Sequence, residues 1–247
     1  MAAEGLPETF RRTIEVVCEP LAARSIRMRQ VKRRTAIIGL CGPQGSGKST
    51  VVAATKLLLE ARGYSTVALS LDDFYLTRDA RQRLAREVHP LLATRGPPGT
   101  HDVQLAGAVL EQLRLKGKVN LPRFDKATDN RAPRGTWPTV ASPVDIVLIE
   151  GWCLGALAQG AAALSIPVND LEREEDPKGV WRGYVNEQLD GPYQALFARL
   201  HDLILLEAPS FEVVKGWRTE QERKLRDRTG AGMSDEEFGC FLAHYER

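Results

Sequence analysis

One nine-residue stretch limits this chain to few folds. From Gly42 it reads Gly-Pro-Gln-Gly-Ser-Gly-Lys-Ser-Thr, which fits the pattern G-x-x-x-x-G-K-[ST]. Glycines at these spacings let the backbone curl, so that successive N–H groups point at a phosphate group. The lysine then reaches the β- and γ-phosphates, and the following hydroxyl binds Mg²⁺. The pattern predicts a site for a nucleoside triphosphate, formed by these residues: Gly42, Pro43, Gln44, Gly45, Ser46, Gly47, Lys48, Ser49 and Thr50.

The flanking sequence predicts the elements that such a loop requires, a strand before it and a helix after it. Residues 35–41 form an apolar run typical of a buried strand, and 48–61 predict a helix that ends before Gly63. Three further apolar runs, at 65–71, 144–150 and 203–207, also precede helical segments. Alternating strands and helices indicate one α/β domain with a mostly parallel sheet flanked by helices. We therefore predict the P-loop NTPase fold.

Composition excludes several classes of protein. The 247 residues are 43% hydrophobic and 27% charged, and their formal net charge of +2 is too small to indicate nucleic acid or a membrane surface as the main partner. No apolar run is long enough to cross a bilayer. The cysteines have no paired spacing, so we expect neither disulfides nor a zinc site, and we expect the cytoplasm. They are Cys18, Cys41, Cys153 and Cys240.

Carboxylates end two of the predicted strands. Asp72 and Asp73 follow the second strand, and Glu150 closes the third. Functional groups gather at the carboxyl ends of strands in open α/β sheets, so these side chains are candidates for a general base and for the Mg²⁺ shell. The alternative is structural, because Asp at a strand end also favours turns and helix caps.

The other segments are more ambiguous. Residues 8–34 predict a helix that Pro20 perturbs, and its basic end at 24–34 is either an anion site or a solvated face. We expect a helix over 77–89, an amphipathic helix after the rigid loop 95–102, polar loops over 121–138 and an exposed charged loop over 168–180. His101 is more often a structural hydrogen-bonding residue than a ligand.

The C-terminal segments resemble a mobile cover over a nucleotide. Residues 211–228 predict a helix rich in arginine, and 234–237 predict the start of a last helix after the Gly230-Ala231-Gly232 joint. Phosphoryl-transfer enzymes commonly neutralise the transferring group with arginine, which contributes roughly 10³–10⁵ in rate. Interspersed glutamates leave a salt-bridged surface helix as the alternative.

Together these stretches resemble the D-glycerate 3-kinase family, within the wider group of uridine kinase, phosphoribulokinase and pantothenate kinase. The resemblance covers residue 36 to the end. The stretches that carry it are 42–50, 69–77, 96–102, 121–126, 150–155 and 230–237.

The resemblance implies an ATP- and Mg²⁺-dependent kinase whose arginine-bearing helical lid closes over the site. It implies Asp72 as the base for an acceptor hydroxyl, with Lys48 and Arg226 also catalytic. Ser49 and Glu150 would hold the metal. Arg218 and Arg223 would contact ATP. The acceptor, a small hydroxy acid, would meet Asp72, Tyr75, His101, Arg123 and Arg131, with either of the last two arginines gripping its carboxylate.

Two features depart from this family. Asn130 stands where relatives tend to have Gly-Asp-Arg, and such chains usually continue through another strand after the last helix. We therefore expect a domain cut short at Arg247 or a sheet edge built differently. The expected organisation is an N-terminal helical segment, 1–34, and a kinase domain, 35–247, in a monomer or homodimer.

Two other functions stay open. The acceptor could be uridine or pantothenate, as in related kinases. A nucleotide-dependent switch is the rival of another class, although the chain lacks the Asn-Lys-x-Asp sequence that reads guanine.

Overall fold

The computed structural model describes residues 10–229, 239 and 241–247. Its strands are β1 (Ala36–Cys41), β2 (Thr66–Ser70), β3 (Gly117–Asn120), β4 (Phe124–Asp125), β5 (Asn130–Arg131), β6 (Thr139–Ser142), β7 (Ile146–Gly151) and β8 (Asp202–Leu205). Its α-helices are α1 (Phe10–Thr13), α2 (Glu19–Lys32), α3 (Lys48–Ala61), α4 (Arg78–Glu87), α5 (Val103–Gln112), α6 (Ala161–Leu164), α7 (Asp170–Glu174), α8 (Val180–Gln188), α9 (Gln194–Phe197) and α10 (Phe211–Thr229). Within these ranges, no helix combines the length and apolar character needed to cross a membrane.

The main sheet contains the four predicted strands, in the order β2-β7-β1-β8, and all its pairs are parallel. Residues of β7 are buried throughout, which explains why its sequence is a continuous apolar run rather than an alternating one. The predicted α/β class and parallel sheet are confirmed. Two small antiparallel pairs, β3–β6 and β4–β5, lie outside this sheet.

Helices cover both faces of the sheet. Ile38 and Leu40 of β1 pack with Leu21 of α2 and Val52 of α3 on one face. The neighbouring residue Ile37 lies in the other cluster, which includes side chains of α5 and α9. Successive side chains of a strand point to opposite faces, so β1 supplies both cores. The result is a three-layer α/β/α arrangement.

The N-terminal helix attaches to the amino ends of two strands. Arg24 pairs with Asp202 at the start of β8, and Arg29 with Asp145 just before β7, at 3.0 Å. A π-turn, Ile14–Cys18, precedes Pro20, whose missing N–H removes one α-helical hydrogen bond. Part of the basic segment 24–34 thus holds strands in position.

The prediction of an exposed loop over 168–180 is wrong in part. The segment contains α7, and Leu171, Glu172 and Asp176 are buried. The two buried carboxylates are paired with arginines distant in sequence or on the next helix, Arg247 and Arg182. A run of charged residues predicts an exposed segment, but ion pairs with residues distant in sequence can bury such side chains.

Candidate active site

The phosphate loop connects β1 to the N-terminus of α3. Gly47, with φ of 81°, immediately precedes the helix, and Gly45 has φ of 84°. A Cβ at Gly45 would lie 2.8 Å from Cβ of Trp217 on α10. Glycine is therefore required at Gly45 for its backbone conformation and for close approach of α10. The loop amides and helix dipole together favour an anion at this helix start.

Glu150, at the carboxyl end of β7, faces the loop. Its Oε1 accepts a hydrogen bond of 2.8 Å from Ser49 Oγ, and its Oε2 lies 4.0 Å from Lys48 Nζ. In the parallel register Glu150 pairs with Leu40 of β1 and Ser70 of β2. The ends of three neighbouring strands therefore converge on one place.

Asp72 lies in the 3₁₀ turn that follows β2. Its Oδ1 accepts from Tyr75 Oη at 2.9 Å and its Oδ2 from Lys126 Nζ at 2.8 Å. Burial raises the pKa of Asp72, but the Lys126 ammonium, with His101 and the Tyr75 hydroxyl, outweighs burial and leaves the pKa below its ordinary value. Asp72 is thus an ionised acceptor at neutral pH.

The adjacent carboxylate, Asp73, has a different environment. It accepts from the Phe124 N–H and from Arg123 Nη1, both at 3.2 Å. Burial raises the pKa of Asp73, and these donors only partly offset it. Both carboxylates line the same cavity, but Asp73 is held by the start of β4, whereas Asp72 accepts from two side chains.

His101 and Tyr75 form a buried stack behind Asp72. Their ring centroids are 4.4 Å apart, and His101 Nδ1 lies 2.6 Å from Tyr193 Oη. Burial lowers the pKa of His101 to about 4, so the ring is neutral at neutral pH. Burial also raises the pKa of Tyr75, which keeps its hydroxyl proton for the bond to Asp72. The stack fixes the orientation of the Asp72 carboxylate.

Lys126 projects from the β4–β5 hairpin, which two arginines fix. Arg81, 1% exposed, donates 2.8 Å hydrogen bonds to the carbonyl and carboxylate of Asp129, which has φ of 52°. Arg95 also pairs with Asp129. Both guanidinium groups lie 5.8 Å from the ring centroid of Phe124. The base of the hairpin is therefore rigid, while the Lys126 side chain is 61% exposed.

These elements surround a cavity of about 1120 Å³. Basic side chains from four different segments line it: Lys48, Arg95, Lys126 and Arg218. Acidic side chains also line it: Asp72, Asp73, Glu150 and Glu222. Its size and its basic side chains suit a phosphorylated nucleotide and a second, anionic molecule.

Each of the two arginines predicted to grip the acceptor is paired with a carboxylate of the chain itself. Arg123 pairs with Asp73 and lines an adjoining, mainly apolar cavity of about 710 Å³ beside α3, which shares Asp73 and Glu150 with the larger cavity. Arg131 donates to the Tyr75 carbonyl at 3.0 Å and to Asp102 Oδ2 at 3.1 Å. Neither is among the residues that line the larger cavity, and His101 is also behind its wall. Tyr75 does line it.

The lid arginines differ from one another. Arg218 of α10 lines the cavity, whereas Arg223 is exposed and pairs with Glu220 at 2.7 Å on the same helix. The side chain of Arg226 lies outside the described residues, as does the predicted helix start at 234–237.

The C-terminal residues close one side of the cavity. Tyr245 lines it, packs edge-on against Trp152 with centroids 4.9 Å apart, and donates to the Arg95 carbonyl at 3.3 Å. Two residues later, Arg247 pairs with buried Glu172 at 2.6 Å. Arg247 also donates to the carbonyls of Ala163 and Ile166. This anchor holds Tyr245 against the phosphate-loop side of the site.

Sequence reasoning missed Arg95, Lys126 and Tyr245. A signal existed for the first two, because Arg95 precedes the Gly96-Pro97-Pro98-Gly99 loop and Lys126 ends a stretch that carries the family resemblance. Nothing in the sequence indicated that a residue near the C-terminus would line the same cavity as the phosphate loop.

Comparisons with known proteins show the family of this chain. Residues 37–158 match the model of the phosphoribulokinase/uridine kinase family. The chain is 34% identical to the uncharacterized kinase mug58 of Schizosaccharomyces pombe, over 94% of this chain and 86% of that protein.

Two further relatives bear the name D-glycerate 3-kinase. The chloroplastic enzyme of Arabidopsis thaliana is 33% identical over 85% of this chain, which spans only 46% of that protein. The structure of the enzyme from Cryptococcus neoformans superposes with a TM-score of 0.79 at 24% identity, covering 94% of this chain and 86% of that one. The latter likeness concerns the fold.

Proposed function

Because this chain belongs to the phosphoribulokinase/uridine kinase family, we propose that it transfers the γ-phosphoryl group of ATP to a hydroxyl of D-glycerate. It is an ATP-dependent small-molecule kinase. The observation that carries the proposed acceptor is the cavity, where Asp72 faces the same space as Arg95 and Lys126. A neutral nucleoside would give these two cations no anionic partner beyond Asp129 and Asp72, whereas a hydroxy acid offers them a carboxylate.

The residues divide the work of the transfer. Lys48 and the loop amides bind the phosphates of ATP, and Arg218 adds positive charge from α10. Asp72 orients the acceptor hydroxyl and accepts its proton as the bond to phosphorus forms. Because Asp72 is ionised well below neutral pH, it accepts the proton late, which suits a loose transition state. Tyr245 and α10 exclude water that would otherwise hydrolyse ATP.

The chain offers oxygen ligands suited to Mg²⁺. Ser49 Oγ and the Glu150 carboxylate lie 2.8 Å apart at the phosphate loop, and within the described residues no cluster of three or more His, Cys, Asp or Glu forms a complete metal cage. Magnesium typically takes one or two protein ligands together with substrate phosphates and water. Bound there, Mg²⁺ would neutralise charge on the β- and γ-phosphates.

The proposal is tested by ADP release in a coupled assay with D-glycerate, glycerol, uridine and pantothenate. We expect turnover with D-glycerate at a kcat/KM at least about 100-fold above that of the others, which corresponds to about 2.7 kcal/mol. Turnover with uridine or pantothenate alone would replace the proposed acceptor. Preference for GTP over ATP without any acceptor would favour the nucleotide-dependent switch.

Asp72→Asn tests the proposed base. We expect kcat to fall by about 10²–10⁴, with little change in the affinity for ATP, because general-base catalysis is removed while the phosphate loop is intact. Asp79→Asn, which changes an exposed carboxylate on α4, is the matched control and should keep full activity. Near-normal turnover of Asp72→Asn would exclude Asp72 as the base.

The compartment and the assembly complete the proposal. We propose the cytoplasm, because the cysteines are unpaired in the described part of the chain, although the Arabidopsis relative is chloroplastic by name. The oligomeric state, a monomer or homodimer, stays a prediction. The same holds for the boundary between the N-terminal segment and the kinase domain after residue 34.

A further inference from the structure

The proposed base, Asp72, is ion-paired with Lys126 through the oxygen that would accept the proton of the acceptor hydroxyl. Asp72 Oδ1 already accepts from Tyr75, and Oδ2 is paired with Lys126 at 2.8 Å. A carboxylate oxygen in such a pair is a poor partner for a neutral hydroxyl, because the ammonium is the stronger donor. An acceptor must therefore compete with Lys126 or move it.

The Lys126 side chain is free to move, whereas the hairpin that carries it is held in place. The hairpin below it is fixed by Arg81, Arg95 and Asp129, and the Phe124 N–H binds Asp73. The Lys126 side chain itself is 61% exposed and carries its ammonium group on a flexible four-carbon stem. Arg95 lines the same cavity, and its Nη1 group is held by Asp129.

The cost of moving Lys126 depends on the charge of the acceptor. A second carboxylate replaces the ion pair that is lost, so the exchange is nearly balanced. A neutral alcohol gives Lys126 no new anionic partner, so the ion pair is broken without compensation in a partly buried site. The arrangement therefore discriminates by charge, at the residue that receives the proton.

We propose that Lys126 is a specificity-determining residue that shifts from Asp72 to the carboxylate of the acceptor, where Arg95 is the second cation. This inference rests on the proposed function and deepens it. The shift frees Asp72 Oδ2 for the hydroxyl. In the transfer, the hydroxyl oxygen bonds to the γ-phosphorus, the bond from that phosphorus to the β,γ-bridging oxygen breaks, ADP leaves, and the hydroxyl proton goes to Asp72.

The test compares D-glycerate with glycerol, which has the same hydroxyls without the carboxylate. In Lys126→Gln we expect the KM for D-glycerate to rise at least about 30-fold, while kcat/KM for glycerol is unchanged or increases. The ratio of the two kcat/KM values should therefore fall about 30-fold or more. Lys126→Arg should recover part of the ratio, and Lys118→Met, an exposed lysine on β3, should match the wild type.

Two further measurements separate this role from a structural one. The acid limb of the kcat profile with glycerol should move to higher pH in Lys126→Gln, because the ammonium that holds the Asp72 pKa down is gone. The KM for ATP should stay the same. An equal loss of kcat/KM for both alcohols, or an unchanged KM for D-glycerate, would overturn the proposal.

Failure of the proposed acceptor is distinguishable from failure of this inference. If the wild type phosphorylates a different acidic alcohol, the same ratio with its neutral analogue decides the role of Lys126. If no turnover occurs, thermal stabilisation by D-glycerate that Lys126→Gln abolishes would still support it. Turnover with neutral acceptors only, or an absence of both turnover and stabilisation by D-glycerate, would overturn it.

Discussion

At Gly96, two parts of the active site approach so closely that no side chain fits between them. Its φ is +131°, and a Cβ there would lie 1.9 Å from Tyr245 Oη. Its carbonyl accepts from Trp152 Nε1 at 3.1 Å. Backbone conformation and contact thus require glycine at the same position, next to the cavity residue Arg95.

Gly96→Ala should therefore cost about 2 kcal/mol or more in the free energy of unfolding and raise the KM for ATP, because Tyr245 is displaced. Gly63→Ala is the matched control. Gly63 also has positive φ, +83°, but no atom lies within 4 Å of its Cβ position, so only about 1 kcal/mol is expected. Urea denaturation and ATP kinetics measure both effects. Equal results for the two variants would contradict the proposed contact.

His101 predicts a pH dependence of stability. Its pKa is lowered from 6.5 to about 4 by burial, so the unfolded chain binds a proton first as the pH falls. Stability should therefore be lost between about pH 6.5 and 4, by about 3 kcal/mol in total, and change no further below that window on account of this group. Urea denaturation at pH 7 and 4.5 should show a smaller difference in His101→Gln. An identical difference in the variant would exclude His101 as the source.

At the scale of elements, the C-terminal anchor connects stability to the nucleotide site. Arg247→Met leaves Glu172, which is 1% exposed, without its ion-pair partner. We expect a loss of about 3 kcal/mol in the free energy of unfolding, and a higher KM for ATP because Tyr245 loses its support. Urea denaturation and initial-rate kinetics measure the two effects.

Arg173→Met is the matched control for that anchor. Arg173 pairs with Asp170 on α7, but the two side chains are 59% and 81% exposed. Exposed pairs contribute little, so the loss should be below about 0.5 kcal/mol. If both variants lost the same free energy, burial of the Glu172 pair would have no special effect.

The elements also show what sequence can and cannot predict. The strands of the sheet were predictable because β1 and β7 are continuous apolar runs, and α3 follows from its phosphate loop. The β4–β5 hairpin was not, since its order comes from Arg81 and Arg95, whose partner Asp129 is 48 and 34 residues away. Arginines in loops are predicted as solvated, and only tertiary contacts distinguish a buried one.

The candidate site divides in the same way. Lys48, Ser49 and Glu150 meet as their motif and strand positions predict. The cations near Asp72 were not predictable, because Arg123 and Lys126 lie three residues apart, yet Lys126 pairs with Asp72 and Arg123 pairs with Asp73. The side of a hairpin from which a side chain emerges depends on its register, which short polar sequences do not specify.

For the whole molecule, nucleotide binding should stabilise the fold by mass action. ATP with Mg²⁺ at about 100 times its Kd contributes about 2.7 kcal/mol, which for a chain of this length raises Tm by roughly 5–10 °C. Lys48→Met should reduce the shift strongly, because the phosphates lose their cation. Lys56→Met, which changes an exposed pair with Glu60 on α3, should keep it. A full shift in Lys48→Met would mean that ATP binds elsewhere.

The pairing of Glu150 with Leu40 on one side and Ser70 on the other has a consequence for misfolding. A shift of one residue in the register of β7 would place the Glu150 carboxylate in the hydrophobic core and turn the Ile149 side chain toward the nucleotide. The register of β7 that folds the sheet correctly is thus the same register that places Glu150 for catalysis. A misaligned chain should be inert and unstable together, with no half-active form between.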